Sequence, residues 1–264
     1  MTTTIYDRLS KAVTSDSRWS CDLDSFDPGY EGHILYVDDT GFGKLAIRDD
    51  TVMVLAGNGI LIEQWKRWLT REVLSFDEEM PALCIPGQMP FSIYLIEMSS
   101  NTVLFDEGHK HTIFNLEANE VLAAFSGSGS MHAADNWIGT VCARTAIDYA
   151  KTKDHYTGGT VRYVDFASKK CDLETNLTTI QEVVNLMLER GYIMDTKKPG
   201  SAPVSISAQE VAHVRQLLAS GALMPSAPVG KGAKEWDEKS KAKFIKAIEH
   251  IRDSEARKKA KVEA

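Results

Sequence analysis

The chain has 264 residues, 43% hydrophobic and 25% charged, which is enough for one large domain or a smaller one with an appendage. Its formal charge of -7 argues against general nucleic-acid affinity, which needs a basic surface. The longest apolar runs, VMVLAG (52–57) and VLAAF (121–125), fall far short of the roughly 20 residues that span a bilayer, and the polar start is no signal peptide. The expectation is therefore a cytoplasmic protein without a membrane partner. Cys21, Cys84, Cys142 and Cys171 form no CxxC pair, so they read as reduced, mostly buried thiols, and no cofactor is expected.

In chain order, TTIYD (3–7), KAVTSD (11–16), HILYVDD (33–39), KLAIRD (44–49) and TVMVLAG (51–57) read as a meander of antiparallel strands. GNGILIEQWKRWLTREVL (57–74) places Ile60, Leu61, Trp65, Trp68 and Leu69 at helical spacing, with both tryptophans expected beneath a sheet. Pro81, Pro86, Gly87 and Pro90 exclude a long helix over 75–90. Strands resume at FSIYLIEM (91–98), TVLFD (102–106), HTIFNL (111–116) and VLAAFSG (121–127).

One long helix should follow the glycine-serine turn, with Ala133, Trp137, Val141, Ala143, Ile147 and Ala150 on its apolar face and Arg144 falling within the same arc. GGTVRYVDF (158–166) reads as a strand, and TTIQEVVNLMLERG (178–191) as a helix stopped by glycine. Beyond Gly191 the composition shifts. TKKPGSAPVS (196–205) and MPSAPVGKG (224–232) read as linkers, and SAQEVAHVRQLLASG (207–221) as a short helix with a serine cap and a glycine stop. From Lys231 onward 11 Lys and Arg stand against 7 Asp and Glu, and Phe244, Ile245, Ile248 and Ile251 share one side of a solvated or partner-seeking helix.

The element order is α+β, with helices on the outer faces of antiparallel sheets, and a four-layer αββα sandwich fits. Residues 1–191 would form its main domain and 192–264 a linker with a charged helical extension.

AAFSGSGSMHAADNW (123–137) and AKTKDHYTGGTVRYVDF (150–166) resemble the β-type subunits of the proteasome family of N-terminal-nucleophile hydrolases, including the two-component bacterial peptidase served by an ATP-driven unfoldase. The shared features are a strand ending in a GSG turn, a helix opening on small residues, and an acidic-x-x-Ser/Thr-Gly-Gly segment before the next strand. VTSDSR (13–18) resembles the family's aspartate-serine-arginine turn, and GKLAIRDDTVMVLAG (43–57) its lysine-led strand followed by one ending in Ala-Gly.

The resemblance implies a threonine peptidase whose nucleophile, Thr2, becomes the first residue when Met1 is removed. A terminal threonine carries both a hydroxyl nucleophile and an α-amine that can act as its base. By the resemblance Lys44 would lower the pKa values of both groups, Asp16 would hold that lysine, and the Gly57 N–H would stabilise the oxyanion. Ser128, Asp154 and Thr157 would surround the terminal amine. A peptide or unfolded-protein substrate, a homo-oligomeric assembly and an ATP-driven unfoldase docking through the C-terminal helices are implied partners.

The resemblance covers about residues 2–190 and departs from the family in two places. Asp16 arrives two positions early, which leaves Thr3 as an alternative nucleophile, and no second long helix follows the first. Taken singly, Asp16 and Asp154 also suit turns, Lys44 a surface, and GSGS a helix cap. Asp106, His109 and His111 suit a turn better than a metal site. A catalytically silent subunit used for assembly or binding is the alternative from another class, and hydrolysis of a small-molecule amide needs the same chemistry.

Overall fold

The computed structural model describes residues 2–24, 26, 28–74, 80–87, 90–173, 179–198, 200–229 and 234–262. The chain begins with strands β1 (Thr4–Asp7), β2 (Ala12–Ser15), β3 (Trp19–Asp22), β4 (His33–Val37), β5 (Leu45–Arg48) and β6 (Thr51–Asn58), followed by helix α1 (Gly59–Leu69); the expected runs supply all of these strands but β3, and instead of one meander they divide between two sheets. Next come β7 (Phe91–Glu97), β8 (Thr102–Glu107), β9 (His111–Asn115) and β10 (Glu120–Ser126), then helices α2 (Ser130–Thr140) and α3 (Ala143–Lys151). The remainder comprises β11 (Arg162–Asp165), β12 (Lys170–Cys171), α4 (Ile180–Arg190), β13 (Tyr192–Asp195), β14 (Val204–Ser205), α5 (Ala212–Ala219), β15 (Ser226–Ala227) and α6 (Glu238–Val262).

The chain is mixed α+β with two antiparallel sheets, ordered β12-β11-β2-β1-β10-β9 and β14-β13-β4-β3-β15-β6-β7-β8, with β5 also paired to β6. The period-two alternation of side chains sorts the core. Tyr6, Val13, Val52, Val54, Tyr94 and Val164 meet between the sheets. Their neighbours Ile5 and Phe125 turn outward to Ala133, Trp137 and Ile147 of α2 and α3. On the other sheet Met53, Leu55 and Ile93 turn outward to Trp65, Val184 and Phe244 of α1, α4 and α6. This packing is that of a sandwich. No helix among the described residues is long and apolar enough to cross a membrane.

The expected single helix after the GSGS turn is two. Val141 adopts a left-handed φ of 49° and Cys142 is extended, so the chain re-enters a helix at Ala143 on a new phase. The break resolves the conflict over Arg144, which lies outside the core with its guanidinium 3.7 Å over the Tyr163 ring. Val141 is correspondingly exposed rather than on the apolar face. Only Cys21 of the four thiols is buried, and Cys171 is exposed, because the others sit on outer elements.

Residues expected from composition as linkers and solvated helices are largely packed. β13, β14 and β15 join the second sheet, and Phe244 of α6 lies 5.3 Å from Trp65 and 5.0 Å from Trp68, ring centre to ring centre. His250 pairs with Glu97 at 2.8 Å, and Lys258 with Asp49 at 2.8 Å, so the polar side of α6 is fastened as well. No serine side chain caps α5, which continues a 3-10 turn at Gln209–Val211, whereas the glycine stop is present at Gly221 with φ 76°. Of the proline-rich stretch 75–90, residues 80–87 and 90 are not helical, and 75–79 and 88–89 lie outside the described residues.

Burial also places a cation under strain. The Lys110 side chain is 5% exposed, its amine donating to the Glu107 carbonyl at 2.5 Å and lying 4.5 Å over the Tyr94 ring. Burial pushes its pKa from 10.5 down to about 8, against the opposing pull of Asp106 and Glu107. Between pH 8 and 10.5 the unfolded chain therefore holds a proton that the folded chain has shed, so stability rises with pH through this window. Relative to Lys110→Met, wild type should gain up to about 3 kcal/mol across it in urea unfolding, and parallel curves would refute the assignment.

Candidate active site

The start of the first sheet brings four polar residues together out of reach of the surface. Thr2, Thr3, Asp16 and Lys44 are all at most 1% exposed. β1 and β2 pair with Thr4 opposite Ser15, and the ladder continues one step, with Asp16 N–H donating to the Thr3 carbonyl at 3.1 Å. That register sets Asp16 beside the first residues of the chain. The Thr2 hydroxyl donates to Asp16 Oδ1, which also accepts from the Thr3 N–H at 3.0 Å and from Lys44 Nζ at 2.8 Å.

Lys44 is further held by the carbonyls of Asp16 at 3.2 Å and Arg18 at 2.7 Å. Asp16 Oδ2 accepts from the N–H groups of Gly158 at 3.0 Å and Arg18 at 3.3 Å. Five donors thus converge on one buried carboxylate and stand in for the hydration it has lost. Burial lowers the Lys44 pKa despite the raising effect of Asp16, which makes its proton easier to release than that of a surface lysine. A small cleft bounded by Ser17, Thr40, Phe42, Lys44 and Arg162 opens beside it.

A second network lies on the other face of β1. Ser128 and Thr157 both donate to Asp154 Oδ2, at 2.5 and 2.6 Å. Thr157 also contacts the Thr3 hydroxyl at 2.8 Å. The alternation of β1 explains why this network closes on Thr3 rather than on Thr2, whose side chain points the opposite way to Asp16. Ser128 is thereby drawn away from capping α2, whose N-terminus has no side-chain cap. The turn touches Thr2 through its backbone instead, the Gly129 N–H donating to the Thr2 carbonyl at 3.3 Å.

Gly57 makes no bond to these groups. It sits on β6 with φ 121°, opposite Phe91 of β7 on one edge and Ala227 of β15 on the other. A Cβ there would overlap the Pro90 carbonyl, so only glycine fits. Met1, whose removal a free Thr2 amine requires, lies outside the described residues.

No known family matches this chain, nor does any curated protein or solved structure.

The site contains a brace not singled out from the sequence. Arg18 grips Asp38 through two bonds of 2.8 Å, donates to the His155 carbonyl at 2.6 Å, and lies 3.9 Å over the Tyr36 ring. Ser17 donates to Asp39 at 2.6 Å, and Asp39 also accepts from the Thr160 N–H at 3.0 Å. Burial alone would raise the Asp39 pKa, but the bonds from Ser17 and Thr160, together with the Arg162 charge, overcome it and hold the carboxyl below its usual range.

Gly158 and Gly159 lie against this brace, where a Cβ would overlap the Arg18 guanidinium and Ser17 Oγ respectively. The signal available was the pair of aspartates ending HILYVDD, which by type alone read as turn residues. His109 and His111 meet edge to face at 4.9 Å where the β8–β9 connection enters β9. Among the described residues no group of three or more His, Cys, Asp or Glu side chains is placed to hold a metal ion.

Proposed function

We propose that the chain is a proteasome-like threonine hydrolase of four-layer αββα fold, acting on peptide bonds through Thr2 once Met1 is removed. The observation that supports this reading is the shared buried contact of the Thr2 hydroxyl, the Asp16 carboxylate and the Lys44 ammonium. In this reading the free Thr2 amine takes the hydroxyl proton as Oγ1 attacks the carbonyl carbon. Lys44 favours the developing alkoxide by its charge, and Asp16 keeps the lysine in place. The Gly57 N–H, freed of its neighbour, receives the oxyanion. The proton passes to the departing amine as the acyl bond forms, and water then releases the acid by the reverse route. Ser128, Asp154 and Thr157 support this by fixing the Thr3 side of the strand. Thr2 is favoured over Thr3 because only Thr2 turns its hydroxyl to the lysine-bearing carboxylate.

Homo-oligomeric assembly in the cytoplasm, and delivery of unfolded substrate by an ATP-driven partner, belong to the same proposal. The burial of α6 moves any docking role from its apolar side to the outward charges that its ion pairs leave exposed, such as Lys243, Lys246 and Glu249.

A second reading, a silent subunit used for binding or assembly, is favoured by one specific observation: Thr2 is wholly enclosed. Intact-mass measurement after treatment with a peptide epoxyketone, which reacts with both the hydroxyl and the amine of a terminal threonine, separates the two. Loss of methionine with one adduct supports the hydrolase, and Thr2→Ala should then lose the adduct and at least about a thousand-fold in hydrolysis while remaining folded. An unmodified chain retaining Met1 supports the silent subunit.

A further inference from the structure

The second sheet is continuous by virtue of two residues. β3 and β6 do not pair with each other; Ser226 lies between them, opposite Ser20 of β3 and Asn58 of β6, and Ala227 lies opposite Gly57. β7 takes the whole of one edge of β6, from Thr51 to Gly57. The other edge is shared. β5 covers its first part, with Leu45 opposite Val54 and the Leu55 N–H donating to the Lys44 carbonyl at 2.9 Å, and β15 covers its end.

β5 and β15 are thus laid end to end, and Gly57 stands two residues, about 7 Å, beyond the ladder partner of Lys44. The far wall of the same slot begins at Arg18, whose carbonyl holds the Lys44 amine. An extended chain in this slot would run directly toward Thr2, Asp16 and Lys44. The slot is filled by the protein itself.

The filling segment has the character of an added strand rather than a built-in one. It offers two paired residues, flanked by Pro225 and Pro228, which have no N–H to extend the ladder. Its side chains are small, and the approach of its first carbonyl is allowed by a glycine: a Cβ at Gly59 would overlap the Pro225 oxygen. Ser226, Ala227 and Val229 are at most 5% exposed, so while the segment is seated it also closes the slot to solvent.

We propose that Pro225–Val229 is a displaceable strand that closes the candidate site in cis, and that an extended polypeptide takes its place between β3 and β6 when it leaves. The proposal rests on the hydrolase reading only for what the slot leads to. Recognition in the vacated slot would come from backbone hydrogen bonds to both strands, with small residues favoured where Ser226 and Ala227 now sit.

Hydrogen–deuterium exchange of the full chain tests it directly. The amides of Ser226, Ala227 and Val229 should exchange at least about ten-fold faster than those of Val52–Leu55 in the β6–β7 ladder, reporting local opening. Ser20→Cys with Ser226→Cys joins facing residues of β3 and β15; once oxidised it should slow that exchange to the ladder rate and abolish epoxyketone modification, and reductant should restore both. Gly59→Ala acts in the opposite sense, pushing on the Pro225 carbonyl and raising both exchange and modification.

Equal protection of Ser226–Val229 and Val52–Leu55 in the wild-type chain overturns the proposal, whether or not anything is hydrolysed. Fast exchange that the disulfide suppresses, in a chain the epoxyketone never modifies, keeps the displaceable strand and removes the hydrolase reading instead.

Discussion

Lys44→Met should destabilise the chain by about 3–5 kcal/mol in urea unfolding and, under the proposed hydrolase function, abolish hydrolysis, the largest effect expected of any single side chain in the site. The Lys44 and Asp16 side chains are both 0% exposed and meet at 2.8 Å, so methionine would leave a carboxylate in the interior without its counter-charge. The Arg18 carbonyl would lose the ammonium it accepts from, and the Asp16 carbonyl would keep only the Ser15 hydroxyl. The remaining donors, from Thr2, Thr3, Arg18 and Gly158, are dipoles and do not restore the lost charge.

Adding Asp16→Asn to Lys44→Met removes the uncompensated anion and should recover part of the stability but none of the activity. This split is the useful result. A purely structural ion pair would show recovery in the double variant with no dependence of hydrolysis on either residue. If Lys44→Met alone cost less than 1 kcal/mol, the pair would not have the burial described.

Much of this site was legible because its parts are local in sequence. Alternating apolar residues locate β1, β2, β5 and β6, and the GSG turn and the DHYTGG segment carry the second network within a few residues each. Asp16, Lys44 and Ser128 were reached through resemblance, since each taken singly suits a turn, a surface or a cap. What was not legible depends on contacts between distant segments. The pairing of Arg18 with Asp38 joins residues whose types say only that they are charged. The PSAPV strand has no alternation and two prolines, so its place in a sheet follows from the gap that β3 and β6 leave rather than from its own residues. The apolar side of α6 was visible, but the aromatic pocket of Trp65, Trp68 and Phe105 that receives Phe244 was not. Val141, β-branched and apolar, is a poor candidate for a left-handed residue, and the helix break there is a tertiary choice that lets Ala143 and Ala146 reach the core.

Gly127→Ala should have the second-largest effect, because it strikes fold and site through one atom. Gly127 has φ 97°, a conformation that costs an L-residue about 1–2 kcal/mol, and the new Cβ would overlap the Thr2 carbonyl and lie 2.9 Å from Thr2 Cγ2. Relief requires Thr2 to move away from the turn, which breaks the bond from the Gly129 N–H to the Thr2 carbonyl. Overpacking of this kind costs a further 1–3 kcal/mol or so, for a total of about 2–5. Gly139→Ala provides the control. That glycine lies on α2, a Cβ there would meet nothing within 4 Å, and alanine should be neutral or stabilise by about 0.5–1 kcal/mol. Refolded Gly127→Ala should also lose epoxyketone modification in proportion to the displacement of Thr2, whereas Gly139→Ala should be modified like wild type. Full modification of a destabilised Gly127→Ala would show that the turn supports the sheet without positioning the threonine, and would separate the stability of this corner from its chemistry.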